Sequence, residues 1–334
     1  MRKRRYRPNY NILQKVVKMK AVQFAQYGDP EVLQVYDLPD PIPGDEDVLI
    51  QVKATTVNHL DLFQRDGSRP VPTLPFTPGL EAAGVVLKDS QGFHAGERVM
   101  TTRAIAAKGG GGYASRIAPP AADLVRIPDA VSFEEAVATG LTSSTAWGSL
   151  FDLGHVKTGE RVLIWAGSSG VGSIAIQFAK YAGCWVATTT GSSEKAAELR
   201  HLGADLVVNH KEQNVGQVIR DAGSVNLVIE LVGTTLQASI DACLNDGRIV
   251  LIGNLGGQQA TVDTQIWRLK RVQVIGGGVH HTPTVNEQRI LQLVADKAIH
   301  PIIARTIPIE KAAEAHRILD SGEILGKIVL VHSW

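Results

Sequence analysis

Short apolar runs alternate with segments of helical spacing through the second half of the chain. Residues 162–165 form an apolar run typical of a fully buried strand, and Ile174, Gln177 and Phe178 follow at helical spacing. Comparable runs predict further strands, and a helix at 194–202 separates two of them. The predicted strands are 185–189, 206–209, 226–231, 248–252 and 272–275. Strands and helices that alternate at this spacing predict right-handed crossovers and a doubly wound parallel α/β sheet.

The first part of the chain has a different pattern, with short strand signals separated by proline and glycine turns. The predicted strands are 22–24, 47–52, 83–87 and 98–101, a pattern that favours a small β-barrel. After the parallel strands, residues 286–298 and 309–319 have helical spacing and residues 327–331 read as a strand. We expect this tail to return and pack on the barrel.

A glycine-rich turn follows the first predicted parallel strand. Gly167, Gly170 and Gly172 fall within six residues, directly before the helical segment. Small residues at such a turn let the backbone approach a phosphate, whose charge is met by free N–H groups at the helix start. Because Gly172 is followed by Ser173 and Ile174 rather than Lys and Ser or Thr, a Walker-type loop is excluded. The turn therefore predicts a dinucleotide site.

The end of the second predicted parallel strand indicates which dinucleotide binds. An acidic residue about 20 positions after the glycines would bind the ribose diol, but the expected position holds Thr190. The hydroxyls of Thr190, Ser192 and Ser193 and the cation of Lys195 suit a 2′-phosphate, which favours NADPH over NADH. The alternative is that a serine only caps the next helix while Lys195 lies on a solvated face.

Composition and charge are typical of a soluble two-domain enzyme. The 334 residues are 44% apolar and 20% charged, and no apolar run reaches membrane-spanning length. Residues 1–18 carry seven basic side chains and no acid, so the rest of the chain is net acidic, which argues against nucleic-acid binding. We interpret residues 1–18 as a disordered basic leader or the product of a mis-assigned start codon, with an organelle transit peptide as the alternative. No nucleic-acid or membrane partner is predicted, and we expect a cytoplasmic protein.

Several motifs together resemble one family, the medium-chain dehydrogenases/reductases, and in particular their zinc-free quinone oxidoreductase branch, which includes zeta-crystallin. The resemblance implies a GroES-like catalytic domain at residues 19–141 and 285–334, a Rossmann dinucleotide-binding domain at 142–284, and an active site in the cleft between them. Besides the glycine turn, the motifs are Gly28-Asp-Pro-Glu-Val-Leu33, Val57-Asn58 with Asp61, Pro78-Gly-Leu-Glu-Ala-Ala-Gly84, Gly96-Glu-Arg-Val99, Gly112-Tyr-Ala114, Gly140-Leu-Thr142 and Gly247-Arg-Ile-Val-Leu-Ile-Gly253.

The same resemblance indicates that no metal is bound. The catalytic zinc ligands of the zinc-dependent relatives fall on Asn58, Leu80 and Leu141, and their proton-relay hydroxyl falls on Leu60. Leucine cannot ligate zinc, and a catalytic zinc needs three protein ligands. The chain has only two cysteines, Cys184 at a strand start and Cys243 inside an apparent helix, both expected as buried small residues.

Without zinc to acidify an alcohol, the favoured reaction is reduction of a quinone or an α,β-unsaturated carbonyl. The resemblance places Asn58 beside the nicotinamide, where its amide could stabilise an enolate-like oxygen; its alternative role is a strand-end turn residue. His59 is the second catalytic candidate, although a neighbour in an extended segment would point the other way. A tyrosine that similar enzymes often carry is replaced by Phe63.

The resemblance also assigns cofactor contacts residue by residue, and it implies a homodimer through the 272–275 edge strand. The NADPH contacts are Gly167, Ser168, Ser169, Gly170, Val171 and Gly172 for the pyrophosphate, Thr190, Ser192 and Lys195 for the 2′-phosphate, His210 for the adenine, Thr142, Gly253 and Asn254 for the nicotinamide end, and Lys327 near the phosphate. Two other functions stay open, an enoyl-thioester reductase and a non-enzymatic NADPH-binding protein of the crystallin or trafficking type.

Overall fold

A computed structural model describes residues 18–102, 111–277 and 284–334. The predicted leader therefore lies outside the described residues, apart from Lys18, which begins the first strand. The strands are β1 (Lys18–Gln23), β2 (Gln34–Pro39), β3 (Ile50–Val57), β4 (Ala82–Val86), β5 (Arg98–Thr101), β6 (Arg116–Ile117), β7 (Leu124–Arg126), β8 (Arg161–Ile164), β9 (Trp185–Thr190), β10 (Leu206–Asn209), β11 (Val225–Glu230), β12 (Cys243–Leu251), β13 (Gln273–Gly276), β14 (Ile303–Pro308) and β15 (Lys327–Val331). The helices are α1 (His59–Asp66), α2 (Phe133–Trp147), α3 (Gly170–Tyr181), α4 (Ser193–His201), α5 (Val215–Asp221), α6 (Leu236–Ala242), α7 (Thr264–Lys270), α8 (Thr284–Ala295) and α9 (Ala312–Asp320).

The second half of the chain forms the predicted doubly wound sheet. Its strands run in the order β10-β9-β8-β11-β12-β13, and every neighbouring pair is parallel. The apolar runs are buried because helices cover parallel sheets on both faces; Val162, Leu163 and Ile164 of β8 are all fully buried. The α/β prediction is confirmed, and β8 lies in the middle of the sheet, where the chain direction of the crossovers reverses.

The first part of the chain forms a mainly antiparallel sheet in the order β14-β15-β3-β4-β5-β7, with β6 paired to β3. The ribbon of β1 and β2 joins it through the backbone, since Val22 N–H donates to the Tyr113 carbonyl at 3.0 Å. The C-terminal strand β15 pairs antiparallel with β3, with Ile328 opposite Val57. The tail therefore returns to this sheet, as predicted.

Two predicted elements are corrected by the structure. The strand predicted at 47–52 is β3, which continues to Val57 because Thr55 and Thr56 are fully buried and their hydroxyls are satisfied by hydrogen bonds to Glu81. Cys243 was expected inside a helix, but α6 ends one residue earlier and Cys243 begins β12. Both cysteines are buried, as expected.

Helix α2 connects the two sheets. It contacts β3, β4 and β15 on one side and α3 on the other, and it is kinked at Gly140, whose φ and ψ are −26° and −107°. One buried apolar cluster includes Ala54 and Val329 of the first sheet and Val162 and Ile164 of the second. The predicted domain limit at residues 141/142 falls within α2, next to its kink, and the limits themselves stay predictions. Among the described residues, no helix has the length and apolar character needed to cross a bilayer.

Candidate active site

A cleft of about 390 Å³ opens between the two sheets. Its walls are mostly apolar, and they bring together the end of β3, the kink of α2, the start of α3, the loop after β12 and the start of β15. The lining residues are Val57, Asn58, His59, Leu60, Phe63, Arg69, Leu141, Thr142, Thr145, Ala166, Ser168, Ser169, Gly170, Val171, Leu231, Ile252, Gly253, Asn254, Leu255, Leu319, Gly322, Ile324, Gly326 and Lys327. An apolar cleft with a few convergent polar groups is the usual form of a small-molecule site.

The glycine turn forms one wall of the cleft and begins α3. Ser169 is the N-cap residue, and its hydroxyl accepts the Gly172 N–H at 3.0 Å. A Cβ on Gly172 would lie 2.3 Å from the Ala166 carbonyl oxygen, and one on Gly167 would lie 2.1 Å from the Thr188 hydroxyl. Ser169, Gly170 and Val171 line the cleft at the start of α3, and because the first N–H groups of a helix have no intrahelical acceptor, this arrangement fits a pyrophosphate.

The group predicted to hold a 2′-phosphate lies where β9 passes into α4. Ser192 caps α4, since its hydroxyl accepts the Lys195 backbone N–H at 3.5 Å, and Thr190 Oγ1 accepts the Ser192 N–H at 3.2 Å. Lys195 is half-buried rather than on a solvated face, and its ammonium donates to the Gly322 carbonyl at 2.8 Å. Burial lowers the pKa of Lys195; the charge of Glu323 opposes this shift, and the charge of Lys211 adds to it. Serine capping and a phosphate pocket are therefore compatible here.

Lys211 is a cofactor candidate that the sequence analysis missed. A Cβ on Gly191 would lie 2.9 Å from Lys211 Cε and 3.1 Å from His210 Cε1, so both side chains border the same turn as Ser192. The only local signal was that Lys211 follows His210, and a lone exposed lysine in a loop is too common to be singled out. The structure brings Lys195 and Lys211 to one corner, which suits a dianionic phosphate.

Asn58 is the N-cap residue of α1, at the end of β3. Asp61 accepts its backbone N–H at 2.8 Å and the Gly79 N–H at 2.9 Å, which ties the start of α1 to the turn at Gly79. The side-chain oxygen of Asn58 accepts a hydrogen bond from the Lys327 ammonium at 2.6 Å. Its amide nitrogen lies 3.3 Å from both Thr56 Oγ1 and Glu81 Oε1.

Glu81 is the second residue that the sequence analysis missed. Its carboxylate is buried and forms an ion pair with Lys327, 3.2 Å between Nζ and Oε1, with side chains only 3% and 6% exposed. Thr56 donates a short hydrogen bond to the same oxygen, and the Leu141 N–H donates to the other oxygen at 2.5 Å. A signal was present, because Glu81 is the one acid in the apolar segment 78–87, and buried acids need partners.

The position of His59 differs from the expectation that it points away from Asn58. His59 is the first residue of α1 rather than part of an extended segment, so it lines the same cleft as Asn58 instead of pointing away. Burial, and then the charge of Lys327, lower the pKa of His59. The imidazole is therefore neutral at neutral pH, with one ring N–H to donate.

The other predicted cofactor residues lie around the cleft. Thr142, Gly253 and Asn254 line it, and the Thr142 hydroxyl donates to the Ala138 carbonyl at 3.0 Å within α2. Lys327 meets the glycine turn through its aliphatic stem, because a Cβ on Gly170 would lie 2.7 Å from Lys327 Cδ. Its ammonium points instead toward Asn58 and Glu81, so a phosphate contact by Lys327 stays a prediction.

The donor set around Asn58 does not fit a catalytic zinc. Of the three positions compared with zinc ligands, Leu80 is buried, Leu141 presents only its backbone to Glu81, and the Asn58 oxygen already accepts from an ammonium. Throughout the described ranges, no group of three or more His, Cys, Asp or Glu side chains could hold a metal ion. A zinc site needs at least three such ligands.

Comparison with known proteins is consistent with this architecture. Residues 44–129 match the alcohol dehydrogenase GroES-like domain, and residues 170–296 match the zinc-binding dehydrogenase model. A quinone oxidoreductase from Pongo abelii is 32% identical over 327 residues, which cover 94% of this chain and 98% of that protein. Quinone oxidoreductase 1 from Escherichia coli is 30% identical, with 93% and 98% covered. The structure of an Escherichia coli quinone oxidoreductase complexed with NADPH aligns with a TM-score of 0.86 at 29% identity, covering 93% of this chain and 99% of that one.

The fold and these likenesses define the class of the protein as a medium-chain dehydrogenase/reductase with a GroES-like domain and a Rossmann domain. Within that class, the chain belongs to the quinone oxidoreductase family. The resemblance inferred from the motifs is thereby confirmed, and so is the predicted fold class. The protein is an oxidoreductase.

Proposed function

We propose that this protein is an NADPH-dependent, zinc-independent reductase of quinones or α,β-unsaturated carbonyls. The observation that carries the proposal is the cleft itself, which has the glycine turn on one wall and Asn58 with His59 on the other. The NADPH-bound relative of the same fold supports the choice of cofactor. Its 2′-phosphate would bind where β9 passes into α4, at the side chains of Thr190, Ser192, Lys195 and Lys211.

The protein's own groups would act by binding, orientation and charge stabilisation. NADPH, when bound, supplies a hydride. The start of α3 holds the pyrophosphate through backbone N–H groups, and Thr142, Gly253 and Asn254 border the nicotinamide end. An Asn58 N–H donates to the substrate oxygen on which negative charge develops, which is the kind of preorganised donor that lowers such barriers. The apolar walls exclude water and accept a planar, weakly polar substrate.

A proton is needed to complete the reduction, and His59 is the candidate donor nearest to Asn58. Its neutral imidazole lines the cleft, so its ring N–H can donate a hydrogen bond to the product oxygen and relay a proton from water, the second ring nitrogen taking up one proton as the first gives one up. Neither Leu60 nor Phe63 offers a hydroxyl at this wall. Among the described residues that line the cleft, only Arg69 and Lys327 carry another ionisable nitrogen.

One observation favours a second substrate class, enoyl thioesters. Arg69 borders the cleft, its side chain is exposed, and it makes no ion pair with the described parts of the chain. Its position is set by its backbone N–H, which donates to the Phe63 carbonyl at 2.8 Å. A cation at the mouth of an apolar cleft could bind the phosphate of a thioester carrier.

The decisive experiment is a turnover assay with NADPH and a panel of quinones, enones and enoyl thioesters, followed by the loss of nicotinamide absorbance. Asn58→Ala should lower kcat by about 10²- to 10³-fold, the usual effect of deleting one such donor. Asn214→Ala is the matched control, because Asn214 caps α5 outside the cleft lining. Tight NADPH binding without turnover on the whole panel would instead favour a non-enzymatic NADPH-binding protein. Arg69→Ala should raise KM for thioesters alone if these are the substrates.

We also propose the homodimer expected from the sequence. Strand β13 is the last strand of the parallel sheet, and its outer edge pairs with no strand in the described ranges. The helix before it, α7, exposes Ile266 and Leu269, at 37% and 57%. A free edge beside exposed apolar side chains favours pairing with a second copy. A cytoplasmic location stays a prediction, tested by cell fractionation.

A further inference from the structure

We propose that Glu81 is a positioning residue for the reaction, acting through Lys327 to hold the Asn58 amide with one N–H directed into the cleft. The inference rests on the proposed function, because it assigns Asn58 the substrate oxygen. It concerns a carboxylate that is not among the residues lining the cleft. Its support is the hydrogen-bond geometry of three elements, β3, α2 and β15, whose donors meet at this one side chain.

The Glu81 carboxylate accepts hydrogen bonds from separate parts of the fold. Oxygen Oε1 accepts from the Thr56 hydroxyl at the end of β3 and from the Lys327 ammonium at the start of β15. Oxygen Oε2 accepts the Leu141 N–H from α2. A buried carboxylate is tolerated only when such donors surround it, so the position of each donor is tied to the others.

The same carboxylate accounts for the kink of α2. Gly140 has non-helical dihedral angles, and a Cβ at this position would lie 2.6 Å from Glu81 Oε2. The Leu141 N–H donates to Glu81, and a side chain that inserts into the ladder is one of the known causes of a kink. Leu141 and Thr142 therefore reach the cleft wall at an angle that Glu81 sets.

Every N–H of the Lys327 ammonium has an acceptor within this cluster. It has three N–H groups, and three acceptors surround it: Asn58 Oδ1 at 2.6 Å, Glu81 Oε1 at 3.2 Å and the Val57 carbonyl at 3.5 Å. The side chain is therefore held in one position. Because an ammonium can only donate, it determines that the Asn58 oxygen, and not its nitrogen, faces β15.

That orientation leaves one Asn58 N–H for the cleft. The amide nitrogen is 3.3 Å from Thr56 Oγ1 and 3.3 Å from Glu81 Oε1. These two oxygens are hydrogen-bonded to each other, so a single N–H shared between them accounts for both contacts. The second N–H belongs to a residue that lines the cleft. The ammonium on the amide oxygen also polarises the group and strengthens this donor.

The test is a set of variants assayed for kcat and for the NADPH dissociation constant. Glu81→Gln keeps the size of the side chain and one oxygen to accept the Leu141 N–H, so the kink of α2 is preserved. It removes the charge that fixes Lys327 and, through it, Asn58, so kcat should fall by about 10²-fold, the effect of a misplacement of about 1 Å. The NADPH Kd should change by less than about twofold, the usual additivity error for a distant site. Glu160→Gln is the matched control, because it breaks the partly buried Glu160–Arg248 pair at a site outside the cleft lining.

Two double variants separate positioning from simple charge balance. Glu81→Gln with Lys327→Met restores a neutral pair, so the thermal midpoint should recover toward wild type while kcat stays low. Glu81→Gln in an Asn58→Ala background should cost nothing further in kcat, since the residue through which Glu81 acts is gone. If Glu81→Gln alone does not fold, the neutral double variant carries the test.

Recovery of wild-type kcat in the neutral double variant would overturn the inference, because charge balance alone would then explain Glu81. Multiplicative losses for Glu81→Gln and Asn58→Ala would overturn it as well. If the wild-type protein turns over substrate and Glu81→Gln has the same kcat, the proposed function stands and only the role of Glu81 is refuted. A wild-type protein without turnover would overturn both.

Discussion

The preference for NADPH over NADH can be tested at Lys195. Replacing Lys195 with Met keeps the length of the side chain but removes the ammonium that would meet the 2′-phosphate. The backbone capping bond from Ser192 stays, because it uses the Lys195 N–H rather than the side chain. The variant therefore probes charge and not the fold of α4.

The expected loss of NADPH affinity is reduced by the hydrogen bond that Lys195 already makes to Gly322 in the absence of a cofactor. A hydrogen bond between a charged donor and acceptor contributes about 1.5–3 kcal/mol, and giving up the bond to the Gly322 carbonyl costs about 1 kcal/mol. The difference of about 0.5–2 kcal/mol corresponds to a rise of about 2- to 30-fold in the NADPH Kd. Lys211, which borders the same turn, should preserve part of the preference.

The assay is titration of nucleotide fluorescence or calorimetry, with NADPH and NADH measured side by side. NADH binding should be unchanged, since NADH has no 2′-phosphate. Lys180→Met is the control, because Lys180 lies in the last turn of α3, where its ammonium bonds Asp205 at 2.9 Å. Equal weakening of both nucleotides would refute the reasoning and show that Lys195 acts only through its bond to Gly322.

The remaining predictions concern the glycine turn, acid stability and assembly. Gly172→Ala should weaken NADPH and NADH equally in the same titrations, because its Cβ would lie 2.3 Å from the Ala166 carbonyl oxygen; selective loss of one nucleotide would contradict this. Burial lowers the pKa of His316 to about 3. Below pH 6.5 the unfolded chain therefore binds a proton at this residue that the folded chain does not bind, and the free energy of unfolding falls as the pH falls toward 3. Between pH 6.5 and 5 this costs about 1–2 kcal/mol, and urea unfolding of His316→Gln should lack that part of the pH dependence. Light scattering should give about twice the 35.9 kDa chain mass, and Leu269→Glu should shift it toward the monomer; a monomeric wild type would refute the dimer.

The parallel sheet was predictable because its signals are local. Each buried strand is a short apolar run, and the glycine turn is contiguous in sequence. The end of β3 was missed for the opposite reason, since Thr55 and Thr56 look polar but are buried with satisfied hydroxyls. A sequence pattern cannot show which polar residues find partners in the fold.

The candidate site was predictable only in part. Asn58 was singled out through the family motif, but its N-cap position could also have been read from Asp61 three residues later, and that would have placed His59 correctly. Glu81 and Lys211 depend on tertiary contacts. The donors to Glu81 come from β3, α2 and β15, which lie up to 246 residues away along the chain, so local spacing could not reveal their convergence.

The pairing of β15 with β3 has a consequence for how the chain is made. Val57 and Ile328 are neighbours in the sheet, yet nearly the whole protein is synthesised between them. The parallel sheet from β8 to β13 is contiguous and can fold while translation continues. One edge of β3 stays unpaired until β15 has been synthesised, and such non-local pairing is slow to form. Loss of β15 alone would therefore leave the parallel sheet complete beside a first sheet that lacks one strand. Cellular quality control would recognise the protein by that incomplete sheet.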